Sequence, residues 1–224
     1  DWVLVYGDTN STLAAALAAV KIGVPLAHIE AGLRSRNRQM PEEINRVLTD
    51  HASDLLFAPT ELAMGNLKSE GLGEKSFLVG DVMADLVQSA KKFDAGAQLN
   101  AAGISDSPEY VVATIHRPSN TDTPERLRAI VSALAEIDSH VVLVAHPRVK
   151  SEARRHGVKL DSKSVQVIEP LPYLTMLQLL GKAKGLITDS GGLQKEAFLQ
   201  GVPCTTIRTE TEWPETLEGG MNVL

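Results

Sequence analysis

The chain has one cysteine, Cys204, among 224 residues. No internal disulfide can form, and a reducing compartment, the cytoplasm, is expected. No apolar run is long enough to span a bilayer, and no signal-peptide pattern is visible, so no membrane partner is expected. The net charge is −6 and basic residues form no cluster, which argues against nucleic acid or an anionic membrane surface as the main partner. A Gly-x-Gly-x-x-Gly fingerprint is missing, so no NAD site is expected. Gly71-Leu72-Gly73-Glu74-Lys75-Ser76 has the wrong glycine spacing for a P-loop. The six histidines show no close pairing of the metal-ligand kind, so neither metal nor cofactor is expected. The first residue is not Met, and an apolar strand begins at Trp2 without a leading turn or cap. Val223-Leu224 ends the chain without a closing helix. These ends suggest an internal piece of a longer polypeptide.

What is present is a regular alternation of apolar strands and helices. The pattern predicts strands over residues 1–6, 24–29, 55–58, 76–79, 110–115, 141–144, 165–168, 186–188 and 202–207. Helices are predicted over 11–22, from Pro41 onward, from a Thr60 cap to near Gly71, and over 81–93, 149–156, 173–180 and 193–200. In the helix opened by Pro41, Ile44, Val47, Leu48 and His51 recur at helical spacing. Another opens at Thr123-Pro124-Glu125 and keeps Leu127, Ile130, Val131, Leu134 and Ile137 in phase. Near-continuous apolar strands indicate parallel sheets covered by helices on both faces. We therefore expect an α/β fold of two Rossmann-like domains, a partial one over 1–80 and a second over 81–224. Residues 94–108, rich in Ala, Gly, Ser and Asp, are the best candidate for a flexible connection. The hinge moves earlier, near Gly80, if the helix before them packs with the second half.

Ligands of such sheets bind beyond the carboxyl ends of the strands. Asp8, Glu30, His116, His146 and Ser190 all fall there. Around Ser190-Gly191-Gly192 a strand turns into a helix whose first N–H groups offer an anion site. Two glycines let a phosphate approach the backbone. Glu196, about a turn and a half along the helix, is placed to reach a sugar on that phosphate. Each residue also has a plainer reading. Ser190 is then only a helix N-cap. Asp8 is an acidic cap and Glu42 a helix-dipole residue. Glu30 is the partner of Arg34 or Arg46, and His116 is a satisfied structural histidine.

Several segments together resemble the non-hydrolysing UDP-N-acetylglucosamine 2-epimerases. They are Gly7-Asp8-Thr9, His28-Ile29-Glu30-Ala31-Gly32-Leu33-Arg34, Pro41-Glu42-Glu43-Ile44-Asn45-Arg46, His116-Arg117, Thr188 through Glu196, and Arg208 through Glu215. The resemblance implies a GT-B-like fold with the substrate between two domains, the first lacking its N-terminal part and the second its last helices. It implies Asp8, Glu30 and Glu42 as catalytic carboxylates and His116 near the leaving phosphate. Arg117, Leu171, Met176, Ser190, Gly191, Gly192, Glu196 and Trp213 would bind substrate, with the uridine along 170–176. A UDP-sugar is the implied partner, and a homodimer is allowed.

The implied reaction inverts C2 of a UDP-2-acetamido sugar, as in polysaccharide precursor synthesis. The C2 proton is too weakly acidic for a carboxylate alone. Breaking the C1–O bond builds positive charge at C1 and acidifies it. UDP leaves, a 2-acetamidoglycal remains, and UDP adds back after a proton reaches the other face. Two faces call for more than one acid/base group. Two features depart from the family. Pro118-Ser119-Asn120 lacks the Glu that many bacterial members carry in the region binding a second, activating substrate. Trp213 stands where some members have an Arg near the sugar. Two other readings stay open: a GT-B glycosyltransferase that needs an acceptor, and an inactive chain that only binds UDP.

Overall fold

The computed structural model describes residues 1–104 and 109–224. The chain divides into two compact units, Asp1–Met83 and Ala84–Leu224. The first alternates β1 (Val3–Tyr6), α1 (Asn10–Lys21), β2 (Leu26–Ile29), α2 (Pro41–Ala52), β3 (Leu55–Ala58), α3 (Glu61–Ser69) and β4 (Ser76–Leu78). Its four strands lie parallel in the order β1-β2-β3-β4. α1 is rich in alanine, and small side chains let it lie close on the sheet: Ala16 and Ala19 are buried with Val5 and Leu26. Lys75, in the P-loop look-alike, donates to the Ser53 carbonyl at 2.5 Å. That lysine braces the fold.

α4 (Val82–Ala90) carries the chain into the second unit, where Val87 and Ala90 pack with Leu177. The second unit continues with α5 (Gly96–Ala101), β5 (Tyr110–Thr114), α6 (Pro118–Thr121), α7 (Pro124–Ala135), β6 (His140–Val144) and α8 (Pro147–His156). β7 (Val165–Ile168), α9 (Tyr173–Gly181), β8 (Gly185–Thr188), α10 (Gly191–Gln200), β9 (Cys204–Thr206) and β10 (Asn222–Val223) complete it. Its parallel sheet runs β10-β9-β8-β5-β6-β7. One face packs on Leu127, Ile130 and Leu134 of α7 and Val149 and Ala153 of α8. The other packs on α9 and α10 through Leu179, Leu180 and Ala197. Cys204 is buried there, and burial pushes its thiol up to about 11. Among the described residues no helix is long and apolar enough to cross a membrane.

Three expectations change. Residues 94–108 are not simply a connection: α5 lies within them and buries Leu99 in the core of the second unit, while 105–108 fall outside the described residues. The segment between the strand expected to end at 115 and the helix expected to open at Thr123, given no element from sequence, contains α6, opened by Pro118 at a first helical position. The third concerns α2. Its in-phase apolar residues face outward, with Ile44 39% and Leu48 47% exposed. The buried face is Glu43, Asn45, Arg46, Thr49 and Asp50. A charged or amide side chain is buried at low cost only where it finds a partner, and Glu43, Asn45, Arg46 and Asp50 each have one, so α2 points to a built polar site.

Candidate active site

In the second unit the strand order reverses between β5 and β8: from β5 the chain goes to β6 on one side, and β8 pairs on the other. That switch point is where an open α/β sheet leaves a crevice. His116 follows β5 and Ser190 follows β8. Between them lies Asp189, fully buried. Its carboxylate accepts from the His116 N–H at 3.0 Å, the Arg117 N–H at 2.9 Å and the Asn120 amide at 3.0 Å. It also lies 2.9 Å from His116 Nδ1. Burial pushes the Asp189 carboxyl up, but these donors and the His116 charge outweigh it and hold it below the usual range. Arg117 adds its Nε–H to the Asp189 carbonyl at 2.8 Å. An ionised Asp189 fixes the proton of His116 on Nδ1 and leaves Nε2 open for chemistry.

A cavity of about 250 Å³ opens at these strand ends, lined by Thr114, His116, Val144, His146, Leu171, Met176, Ser190 and Leu193 among others. It brings together four of the expected residues: His116, Leu171, Met176 and Ser190. His146 belongs with them. Its ring centroid lies 5.4 Å from that of His116, and its Nδ1 accepts the Arg148 N–H at 3.1 Å. Burial and the neighbouring His116 lower its pKa. The neutral ring therefore carries its proton on Nε2. An apolar slot with a few polar groups at one end suits a small ligand that is part flat ring and part anion.

Ser190 is the N-cap of α10, its Oγ accepting from Leu193 N–H at 3.3 Å. The plainer reading is therefore observed, and it places Gly191 and Gly192 at the head of the helix. A Cβ added at Gly191 would stand 2.1 Å from Glu212 Oε1 and would have to displace that carboxylate. Glu212 is paired with Arg208 at 2.7 Å. Glu196, 4% exposed, receives a hydrogen bond from the Tyr173 hydroxyl, and burial raises its pKa to about 7 against that bond. Trp213 is only 4% exposed, with Lys195 Nζ 3.2 Å from its ring centroid. It stands as a buried cation–π platform.

In the first unit, Asp8 and Glu30 follow adjacent strands whose last pair is Tyr6↔Ile29. Thr9, not Asp8, caps α1, its side chain accepting from Thr12 N–H. Asp8 is gripped by Arg46, whose Nε and Nη2 donate to Oδ2 at 3.0 and 2.7 Å. Arg46 also reaches Glu43 at 2.8 Å. Glu43 further accepts the N–H groups of Ser35 and Arg36 at 2.8 and 2.9 Å. Burial opposes the Glu43 charge, but these donors hold its carboxyl below the usual range. Arg34 pairs with Asp50 at 2.8 Å and Glu70 at 2.7 Å. Glu30 sits at φ 70, a left-handed backbone rare for a side-chain residue, with Oε2 3.4 Å from where a Cβ on Gly7 would stand. Glu42 is half-buried in the first turn of α2. Asp189, His146, Glu43 and Asp50 were not assigned from sequence. Only His146, at a strand end, carried a signal there. Among the described residues no group of three or more His, Cys, Asp or Glu is placed to hold a metal.

A family model described as UDP-N-acetylglucosamine 2-epimerase matches residues 1–224. The chain is 52% identical over 225 residues to UDP-2,3-diacetamido-2,3-dideoxy-D-glucuronate 2-epimerase of Pseudomonas aeruginosa, covering 99% of this chain and 62% of that protein. It is 46% identical to UDP-N-acetylglucosamine 2-epimerase of Methanocaldococcus jannaschii, covering 100% of this chain and 64% of the relative. The crystal structure of the M. jannaschii enzyme with UDP-GlcNAc and UDP matches with a TM-score of 0.91 at 44% identity, over 100% of this chain and 64% of that one. The Neisseria meningitidis enzyme bound to UDP-GlcNAc matches with a TM-score of 0.87 at 34% identity, over 100% and 63%. The chain thus spans 62–64% of the length of these proteins.

Proposed function

The chain belongs to the UDP-N-acetylglucosamine 2-epimerase family, and from that premise we propose that it serves C2 epimerisation of a UDP-2-acetamido sugar. The observation that carries the reading is this chain's Asp189–His116 pair beside the Ser190 helix start, in a fold that matches a relative solved in complex with UDP-GlcNAc and UDP. Leu171 and Met176 hold the uracil in the apolar part of the cavity. The N–H groups of Gly191 and Gly192 and the Ser190 hydroxyl take the diphosphate, and Glu196 takes the ribose hydroxyls. His116, oriented by Asp189, stabilises UDP as the C1–O bond breaks, where donors placed for the developing charge act most strongly. Arg117 adds positive charge there. Asp8, Glu30 and Glu42 supply the proton transfers at C2. Arg46 holds the Asp8 carboxylate in place, while the left-handed backbone aims Glu30 away from the strand. Trp213 acts through Lys195, as support for the helix behind the phosphate site.

Incubating the full chain with UDP-GlcNAc in heavy water, followed by NMR, tests this. The expected result is solvent deuterium at C2 with UDP-ManNAc appearing, lowered about 10²–10⁴-fold in Glu30→Gln or Glu42→Gln. Turnover that appears only when an acceptor is added would replace the reading with glycosyl transfer. A second sugar is favoured by the 52% identity to the P. aeruginosa enzyme against 46% to the M. jannaschii one. UDP-2,3-diacetamido-2,3-dideoxy-D-glucuronate therefore belongs in the same assay, and the larger kcat/KM names the substrate.

A further inference from the structure

The buried polar face of α2 holds titratable groups to which the chemistry above gives no part. The most enclosed pair is His28 and Asp50, both fully buried. Each ring nitrogen of His28 has a partner: Nδ1 lies 2.7 Å from Asp50 Oδ1 and Nε2 lies 2.8 Å from the Gly7 carbonyl. A carbonyl oxygen only accepts, so Nε2 carries a proton. The 2.7 Å contact to a carboxylate needs a second proton. Asp50 Oδ2 already accepts the Gly32 N–H at 3.1 Å and faces Arg34 at 2.8 Å, so the carboxylate serves as an acceptor throughout and that proton belongs on Nδ1.

We infer that His28 is a positioning residue: a buried, doubly protonated imidazolium that ties Asp50 on α2 to the Gly7 carbonyl and so locks the turn bearing Asp8. The inference rests on the epimerase reading for the role of Asp8. Gly7 has φ 62, and beside a glycine the peptide joining it to Asp8 rotates with little steric resistance. A pin on its carbonyl is what fixes it. Asn45 Nδ2 grips the next carbonyl, that of Asp8, at 2.8 Å, and Arg46 grips the Asp8 side chain. All three pins lead back to α2, which explains its inverted polarity. The charged groups around the pin are Asp50 and Arg34 with Glu70, then, past Gly7, Asp8 with Arg46 and Glu43, and Glu30.

The test has two arms on the full chain. Nitrogen-15 NMR of the unmodified protein should show His28 with two ring N–H protons; a single ring N–H overturns the inference whether or not any UDP-sugar reacts. The second arm compares His28→Gln, whose amide reaches toward Gly7, with His28→Asn, whose amide reaches toward Asp50. His28→Asn should lower kcat about 10²-fold, the usual cost of a catalytic group displaced by about 1 Å, with KM little changed, and His28→Gln should restore most of it. Equal losses in both variants, tracking the folded fraction, would make His28 merely structural and refute the positioning role. A chain that turns over no UDP-sugar while showing both N–H protons would instead count against the epimerase reading alone.

Discussion

Replacing Glu196 with glutamine should stabilise the protein above neutral pH and weaken its hold on UDP. Glu196 titrates near 7 in the folded state because burial disfavours its charge. An acid whose pKa rises on folding binds its proton more tightly in the native state. Stability is therefore highest below the unfolded value of 4.5 and falls as pH rises through 7. The difference, from 4.5 to about 7, corresponds to about 3 kcal/mol at pH 8.5 as an upper figure. Glu196→Gln removes that cost, and the Tyr173 hydroxyl remains as an acceptor for the new amide. In thermal denaturation the variant should match the wild type near pH 4 and exceed it at pH 8.5 by roughly 6–12 °C. In calorimetric titration with UDP at pH 8.5 it should bind roughly 10–100-fold more weakly, the loss of a charged acceptor. The phosphate of UDP titrates alike against both proteins, so the wild-type to variant affinity ratio isolates the carboxylate. That ratio should grow as pH rises through 7. A variant less stable than wild type by the same amount at both pH values would refute the burial argument, and an unchanged Kd would remove the ribose role.

Two further substitutions probe the two units separately. Asp189→Asn keeps the size of the side chain but loses the charge that orients His116, so kcat should fall roughly 10²–10⁴-fold with UDP affinity little changed; wild-type turnover would dissolve the pair. Arg46→Met leaves Asp8 and Glu43 without their shared cation and should cost about 3–5 kcal/mol in urea unfolding. A loss under about 1 kcal/mol, the size of an exposed ion pair, would show that α2 is not held by its polar face.

Most sheet strands are legible in the sequence because each carries a short apolar run bounded by turn residues; β10, only Asn222–Val223, is too short to leave such a run. The helix start at Ser190 is legible for the same local reason. What escapes is whatever depends on a distant partner. Ile44, Val47 and Leu48 have the spacing of a buried stripe, yet α2 is turned over. The groups that decide it, His28 to Asp50 and Asp8 to Arg46, lie 22 and 38 residues apart, and periodicity carries no record of pairing. Asp189 sits inside a motif conspicuous for its glycines, but its importance lies in contacts 69 to 73 residues away. α5 is hidden by the opposite effect: its alanines and asparagine look like a linker, and a single apolar anchor, Leu99, ties it to the core.

Seen through those long-range pairs, the two units use one device in two ways. Each places a fully buried aspartate, Asp50 or Asp189, against the Nδ1 of a histidine on or just past a strand of its own sheet. In the second unit the other nitrogen of His116 is left open, which suits a group that must meet charge as a bond breaks. In the first unit the other nitrogen of His28 is taken by the Gly7 carbonyl, so its proton has nowhere to go. On the roles proposed above, the same pair of residue types yields a reactive histidine where the ring keeps a free edge and a rigid one where both edges are bound. Burial of the aspartate is common to both, and the partner of Nε2 separates chemistry from positioning.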